Sequence, residues 1–181
     1  MAASDPSNAS SHSQDEEEID CLSASELMDR LREEISRAAR HGTALSCLLV
    51  TIGNLEELAR EHGGELSQRT LLYVGTALRR QLRDFDRIGR PGERELVLVL
   101  PGADGPRGEV VARRVLERLR TIKIEAEGKR QPLRIAVGLA VWREGTSAEE
   151  LLAQTRAAAQ RASGVDASAG VATSPPALGR P

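Results

Sequence analysis

Hydrophobic and polar positions fall into blocks along this chain, and the period within the blocks switches between that of a helix and that of a strand. Leu27, Met28, Leu31, Ile35 and Ala38 recur at helical spacing, which predicts a helix with one apolar stripe. Ser23 and Glu26 stand where a capping box would start it, and His41-Gly42 would stop it. Residues 44–52 are a continuous apolar run ending at Gly53, with the length of a buried strand. A short helix over residues 55–62 closes at Gly63-Gly64, and Leu66, Leu71, Leu72, Val74, Leu78 and Leu82 mark a longer one. Residues 86–90 and 95–100 read as two strands on either side of a Pro91-Gly92 turn signal, making a β-hairpin. Val110, Val111, Val115, Leu116, Leu119 and Ile122 mark another helix, residues 133–142 a further strand, and Ser147 with Glu150 the start of a helix running to about residue 162.

That order predicts an α/β (α+β) layered domain: a central mixed sheet with one antiparallel hairpin, surrounded by helices. The domain is expected over residues 23–163. Residues 1–22 are polar and acidic, with Asp15-Glu16-Glu17-Glu18 near their end, and residues 164–181 are rich in Ala, Ser, Gly and Pro. Neither flank carries enough apolar surface to offset its ordering entropy, so both are expected to be disordered tails. The stripe on the first helix spans barely two heptads, so packing on the domain's own sheet is favoured over a coiled-coil seam.

Composition narrows the function classes. With 40% hydrophobic and 29% charged residues, the 181-residue chain has material for a core. Tyr73, Phe85 and Trp142 are its only aromatic residues, too few for a single-strand stacking platform. The net charge of −2 gives no basic footprint, so no nucleic-acid partner is expected. Cys21 and Cys47, and the scattered His12, His41 and His62, have no disulfide or metal-ligand spacing, and no cofactor is expected. No apolar stretch has membrane-spanning length and the N-terminus lacks a signal-peptide pattern, which leads to the expectation of a cytoplasmic protein without a membrane partner.

Three stretches resemble one family when taken in order. They are Thr51-Ile52-Gly53-Asn54-Leu55 followed by Gly63, the run from Asp86 to Pro101 centred on Gly92-Glu93-Arg94-Glu95-Leu96, and Ile135-Ala136-Val137-Gly138-Leu139-Ala140. Together they are similar to the first strand, signature hairpin and late strand of the GGDEF family, the bacterial diguanylate cyclases. The resemblance covers residues 25–163 and implies a central sheet wrapped by helices. In working members it implies the joining of two GTP molecules into cyclic di-GMP across a dimer, with carboxylates holding divalent metal against the triphosphate.

The residues at the implied catalytic positions depart from that pattern. The signature's second glycine is Glu93, its metal-binding acid is Arg94, and only Glu95 keeps the family identity. The other metal-binding acid aligns with Thr51, and the next Asp of that strand with Gly53. The guanine-reading Asn and Asp align with Ala59 and Arg60, and a phosphate-contacting Lys with Ser163. A guanidinium cannot coordinate metal, and one remaining carboxylate cannot assemble a two-metal site. The expectation is a degenerate domain with no catalytic residues and no metal site.

A second family feature is retained. Arg83-Asp84-Phe85-Asp86 is an R-x-x-D placed five residues before the signature, where the family's inhibitory site binds cyclic di-GMP, and Arg114 falls where that site's further arginine lies. Arginine forks grip phosphate and the guanine edge, and an Asp accepts from guanine N–H groups. Set against this, Arg83 and Asp86 also fit an ordinary surface ion pair at a helix-to-strand junction, and Arg113, Arg114, Arg118 and Arg120 fit a solvated helix face. The readings carried forward are a non-catalytic signalling module that receives cyclic di-GMP at Arg83, Asp86 and Arg114, a module that docks to a signalling protein or forms a homodimer without binding nucleotide, and, behind these two, a residual diguanylate cyclase.

Overall fold

The apolar runs become the centre of one five-stranded sheet. In the computed structural model, which describes residues 21–165 and 169–174, β1 (Leu45–Ile52) lies antiparallel between β3 (Glu95–Pro101) and β6 (Ile135–Val141). β2 (Arg87–Gly92) pairs antiparallel with β3 at one edge, and β7 (Ala169–Thr173) pairs parallel with β6 at the other. Five helices surround it: α1 (Ala24–His41), α2 (Leu55–His62), α3 (Gly64–Arg79), α4 (Gly105–Arg120) and α5 (Ala148–Val165).

The central strands read as continuous apolar runs because both of their faces are covered. Successive side chains point to opposite faces. Leu48, Val50, Leu96, Leu98, Val137 and Leu139 therefore enter one core with Val74 and Leu78 of α3 and Val115 and Leu119 of α4. Cys47, Leu49, Val97, Val99 and Ala140 enter a second core beneath α1 and α5. Burial of one such Leu or Val contributes about 1.5–3 kcal/mol. The α1 stripe goes to this second core: Leu27, Leu31 and Ala38 are buried, with Met28 and Ile35 packed against them. The coiled-coil alternative thus gives way to packing on the domain's own sheet.

Both capping boxes form. Ser23 and Glu26 exchange bonds at the start of α1, and Ser147 and Glu150 do so at the start of α5. Gly42 ends α1 in the left-handed conformation, φ 62°, which costs a glycine nothing.

Two expectations need correction, and one further element appears. The expected C-terminal tail over residues 164–181 contains β7, whose Val171 packs against the core. Its small-residue composition hid a strand that gains its stability from pairing with β6. The expected N-terminal tail, residues 1–22, lies outside the described residues up to position 20. Leu22, however, forms a parallel bridge to Gly89, with its N–H donating to the Ile88 carbonyl at 2.9 Å and its carbonyl accepting from Arg90 at 2.8 Å. The domain also has a second hairpin, β4 (Lys123–Ala126) and β5 (Lys129–Pro132), turning through Glu127 and Gly128 at positive φ. β5 is Lys-Arg-Gln-Pro and β4 buries only Ile124 and Ala126, too short an alternation to read as a strand.

Candidate functional site

The signature hairpin turns more tightly than Pro91-Gly92 suggests. Gly92 still pairs with Glu95, so the turn proper is Glu93-Arg94, and an irregularity between Gly89 and Gly92 absorbs the extra residue. In the sheet Thr51 stands directly across from Glu95 on one side and Ala136 on the other. The end of β1 and the hairpin turn are therefore brought together, and the Ile52 N–H reaches the Arg94 carbonyl at 3.4 Å.

The side chains there neutralise one another. Glu95 is clasped by Arg156 of α5, whose Nε lies 3.2 Å from both carboxylate oxygens and whose Nη2 lies 2.8 Å from Oε2. This bidentate bond raises the Arg156 pKa above the ordinary arginine value, with burial working against it. Arg94 pairs with Glu56 of α2 at 3.0 Å. The Thr51 hydroxyl donates to the Ala136 carbonyl at 3.5 Å, and Leu96 is buried in the core. Ala59, Glu93 and Arg94 line a cavity of about 300 Å³ between α2, α3 and the hairpin, while the exposed Arg60 is not among its lining residues. Ser163 donates to the Ala159 carbonyl within its own helix. Among the described residues, no three His, Cys, Asp or Glu side chains converge as a metal site.

Asn54, which sequence reasoning passed over, ties this end together. It is buried before α2, donates to the Pro132 carbonyl at 3.0 Å and accepts from the Arg134 N–H at 2.9 Å.

The R-x-x-D residues lie on the other side of the hairpin, where α3 leads into β2. Arg83, Asp86 and Arg114 line one cavity of about 260 Å³, together with Arg107, Val110 and Val111 of α4. Asp86 is buried, and its Oδ2 accepts from the Arg83 backbone N–H at 2.8 Å, closing the turn before β2. The surface ion pair expected as the bland alternative is therefore a turn cap made to the backbone. Burial raises the Asp86 pKa above its ordinary 3.8, against the opposing influence of that backbone bond and of the Arg83, Arg79 and Arg114 charges.

The arginine side chains around it bond neutral groups. Arg114 donates to the Gln81 carbonyl at 2.5 Å, Arg87 to the Asp84 and Asp86 carbonyls at 2.7 and 3.0 Å, and Arg79 to the Asp86 carbonyl at 3.1 Å. The Arg83 guanidinium stands 5.7 Å from the centroid of the Phe85 ring. Val110 lines the cavity and is 64% exposed, and Phe85 is 48% exposed in the turn that carries Arg83. They were legible only as apolar residues; their position at the rim depends on how α4 packs against the end of α3.

This arrangement belongs to a known fold. The family model described as "Diguanylate cyclase, GGDEF domain" matches residues 24–175, and the chain belongs to that family. It is 32% identical over 94 residues to the diguanylate cyclase DgcP of Pseudomonas aeruginosa, a match that covers 52% of this chain and 13% of that protein. The fold superposes on the GGDEF domain of PA1120 (TpbB or YfiN) from Pseudomonas aeruginosa with a TM-score of 0.78 at 19% identity, covering 87% of this chain and 92% of that one. It is equally similar to the GGDEF domain of DgcB from Caulobacter crescentus solved in complex with c-di-GMP, with a TM-score of 0.78 at 13% identity over 85% and 91% of the two chains. Among the described residues, no helix is long and apolar enough to cross a membrane.

Proposed function

We propose that this GGDEF domain does not make cyclic di-GMP but receives it, at the cavity of Arg83, Asp86 and Arg114, as a non-catalytic signalling module. The observation that carries the reading is the contrast between its two ends. At the signature turn, Arg94 and Thr51 stand where the family's metal-binding acids are implied, and the surviving Glu95 is held by Arg156. A carboxylate spent on a bidentate arginine is not available to a metal, and Arg94 adds a cation where a ligand is needed. At the R-x-x-D end, three side chains of the right chemistry face one cavity.

Arg83 and Arg114 supply forks for phosphate or a guanine edge. Asp86 holds the turn that presents Arg83 and keeps one carboxylate oxygen outside that bond. A cavity of about 260 Å³ accommodates part of a two-nucleotide ligand, so the remainder would lie over the Phe85 and Val110 rim or against a second domain. The likeness to a GGDEF domain solved with c-di-GMP bound supports this choice of ligand.

A second reading has its own support. Leu72, Tyr73, Phe85 and Val110 are large exposed apolar side chains, as a surface that docks a signalling protein or a second copy would present. Two experiments separate these readings. Incubation with GTP and magnesium or manganese, followed by chromatography, is expected to yield no cyclic di-GMP above a protein-free blank; product from a preparation free of host cyclase would overturn the loss of activity. Calorimetric titration with cyclic di-GMP is expected to show saturable binding, and its absence would leave the docking module as the better account.

A further inference from the structure

We infer that the arginine cluster around the R-x-x-D cavity is also the docking site of the chain's own acidic segment, residues 15–20, which competes there with an anionic ligand. The first described residues set the geometry. Leu22 is bridged to Gly89 in parallel orientation, so the chain enters the fold along the outer edge of β2, running in the same direction as that strand. Cys21 therefore lies toward the N-terminal end of β2, beyond which Asp86 and Arg83 follow Arg87 back toward α3.

The segment on that side is Asp15-Glu16-Glu17-Glu18-Ile19-Asp20. It begins seven residues from Leu22, a reach of up to about 25 Å.

Charge complementarity favours this occupant. Arg79, Arg83, Arg87 and Arg114 stand against only Asp84 and Asp86, and the bonds of Arg79, Arg87 and Arg114 go to neutral carbonyl oxygens, so the cluster keeps a net positive charge. A block of acidic residues tethered beside such a cluster meets it at a high effective concentration, so weak individual pairs suffice. Every arginine that would hold a phosphate of the ligand would then hold a carboxylate of the chain, and the two states exclude each other. The effect on ligand affinity rests on the proposed function; the docking itself does not.

The test uses the full-length chain beside the variant D15N/E16Q/E17Q/E18Q/D20N, with folding of both checked by circular dichroism. In nitrogen-15 spectra, the backbone and Nε–Hε signals of Arg83, Arg87 and Arg114 are expected to move between the two proteins, while those of Arg32 and Arg40 on α1 stay in place. The wild-type arginine signals should also move toward the variant's positions as sodium chloride is raised to half molar. Superimposable spectra at the three arginines would overturn the docking. Titrated with cyclic di-GMP, the variant should bind about fivefold to tenfold more tightly than wild type, at the low end of common coupling strengths. Affinities that agree within twofold would overturn the competition. If neither protein binds the nucleotide, the receptor reading and the competition fall, and the spectra still decide the docking.

Discussion

Gly138 lies in the middle of β6, where α5 crosses closest to the sheet, and replacing it with alanine gives a sharp test of how the two layers are spaced. An alanine Cβ at that position would stand 2.3 Å from both the Ala159 nitrogen and the Thr155 carbonyl oxygen, and 2.9 Å from the Ala159 Cα. These are backbone atoms of one helical turn, so no side-chain rotation relieves the clash. Restoring ordinary contact needs α5 to retreat by roughly 1 Å, a gap that forfeits a quarter to a half of the dispersion attraction across it. The buried Leu151, Ala158 and Ala159 all lose contact together with the β1 and β6 residues beneath them. The expected cost is about 3 kcal/mol, the upper end of ordinary overpacking, which lowers the melting temperature of a domain this size by roughly 6–12 °C. Gly105→Ala is the control, since its Cβ would meet only Val141 Cγ2, at 3.7 Å, and its effect should stay within about 0.5 kcal/mol. Thermal unfolding followed by Trp142 fluorescence reads both. A Gly138→Ala midpoint within a degree of wild type would refute the close packing of α5 on β6.

Other perturbations follow from particular contacts. Ending the chain at Val165 removes β7 and should destabilise the domain by about 2 kcal/mol, from the lost half-burial of Val171 and the lost ladder bonds; an unchanged urea midpoint would show that the strand adds nothing. Asn54→Ala removes both bonds that tie α2 to the approach of β6 and should cost about 1–3 kcal/mol, read in the same assay, with no loss contradicting the role given to Asn54. Burial raises the Asp86 pKa, so the folded state holds that proton more tightly than the unfolded one. Stability relative to Asp86→Asn should therefore fall as pH rises from about 3.8 through the folded pKa, and level off above it. Urea titrations at several pH values check this, and a difference that grows in favour of wild type with rising pH would reverse the assignment.

The parts of the fold legible in the sequence were those with a strong local cause. Two capping boxes, Gly42 and the two-sided apolar runs of β1, β3 and β6 each state their own structure within a few residues. β7 was not legible because Ala-Gly-Val-Ala-Thr has no strand signal until β6 lies beside it. The β4–β5 hairpin was hidden because its strands are four residues each and only Ile124 and Ala126 turn inward. At the sites, the grouping of Arg83, Asp86 and Arg114 could be reached by analogy with the family. The use of Asp86 as a turn cap could not, since that depends on its burial. Arg156, the partner of Glu95, was invisible for a different reason: the two are far apart in sequence and meet only because α5 packs on β6 and β1, from where Arg156 reaches Glu95 at the start of β3.

The most direct test of the central claim is a calorimetric titration of cyclic di-GMP into the wild-type chain, with Arg83→Ala titrated beside it. Charge-assisted bonds of the kind assigned to Arg83 contribute about 1.5–3 kcal/mol each, so the variant should bind roughly tenfold to a hundredfold more weakly than wild type. Saturable heat from wild type with that loss in the variant is the predicted result. Absence of heat from folded wild-type protein at tens of micromolar ligand, or equal affinity in both proteins, would contradict it.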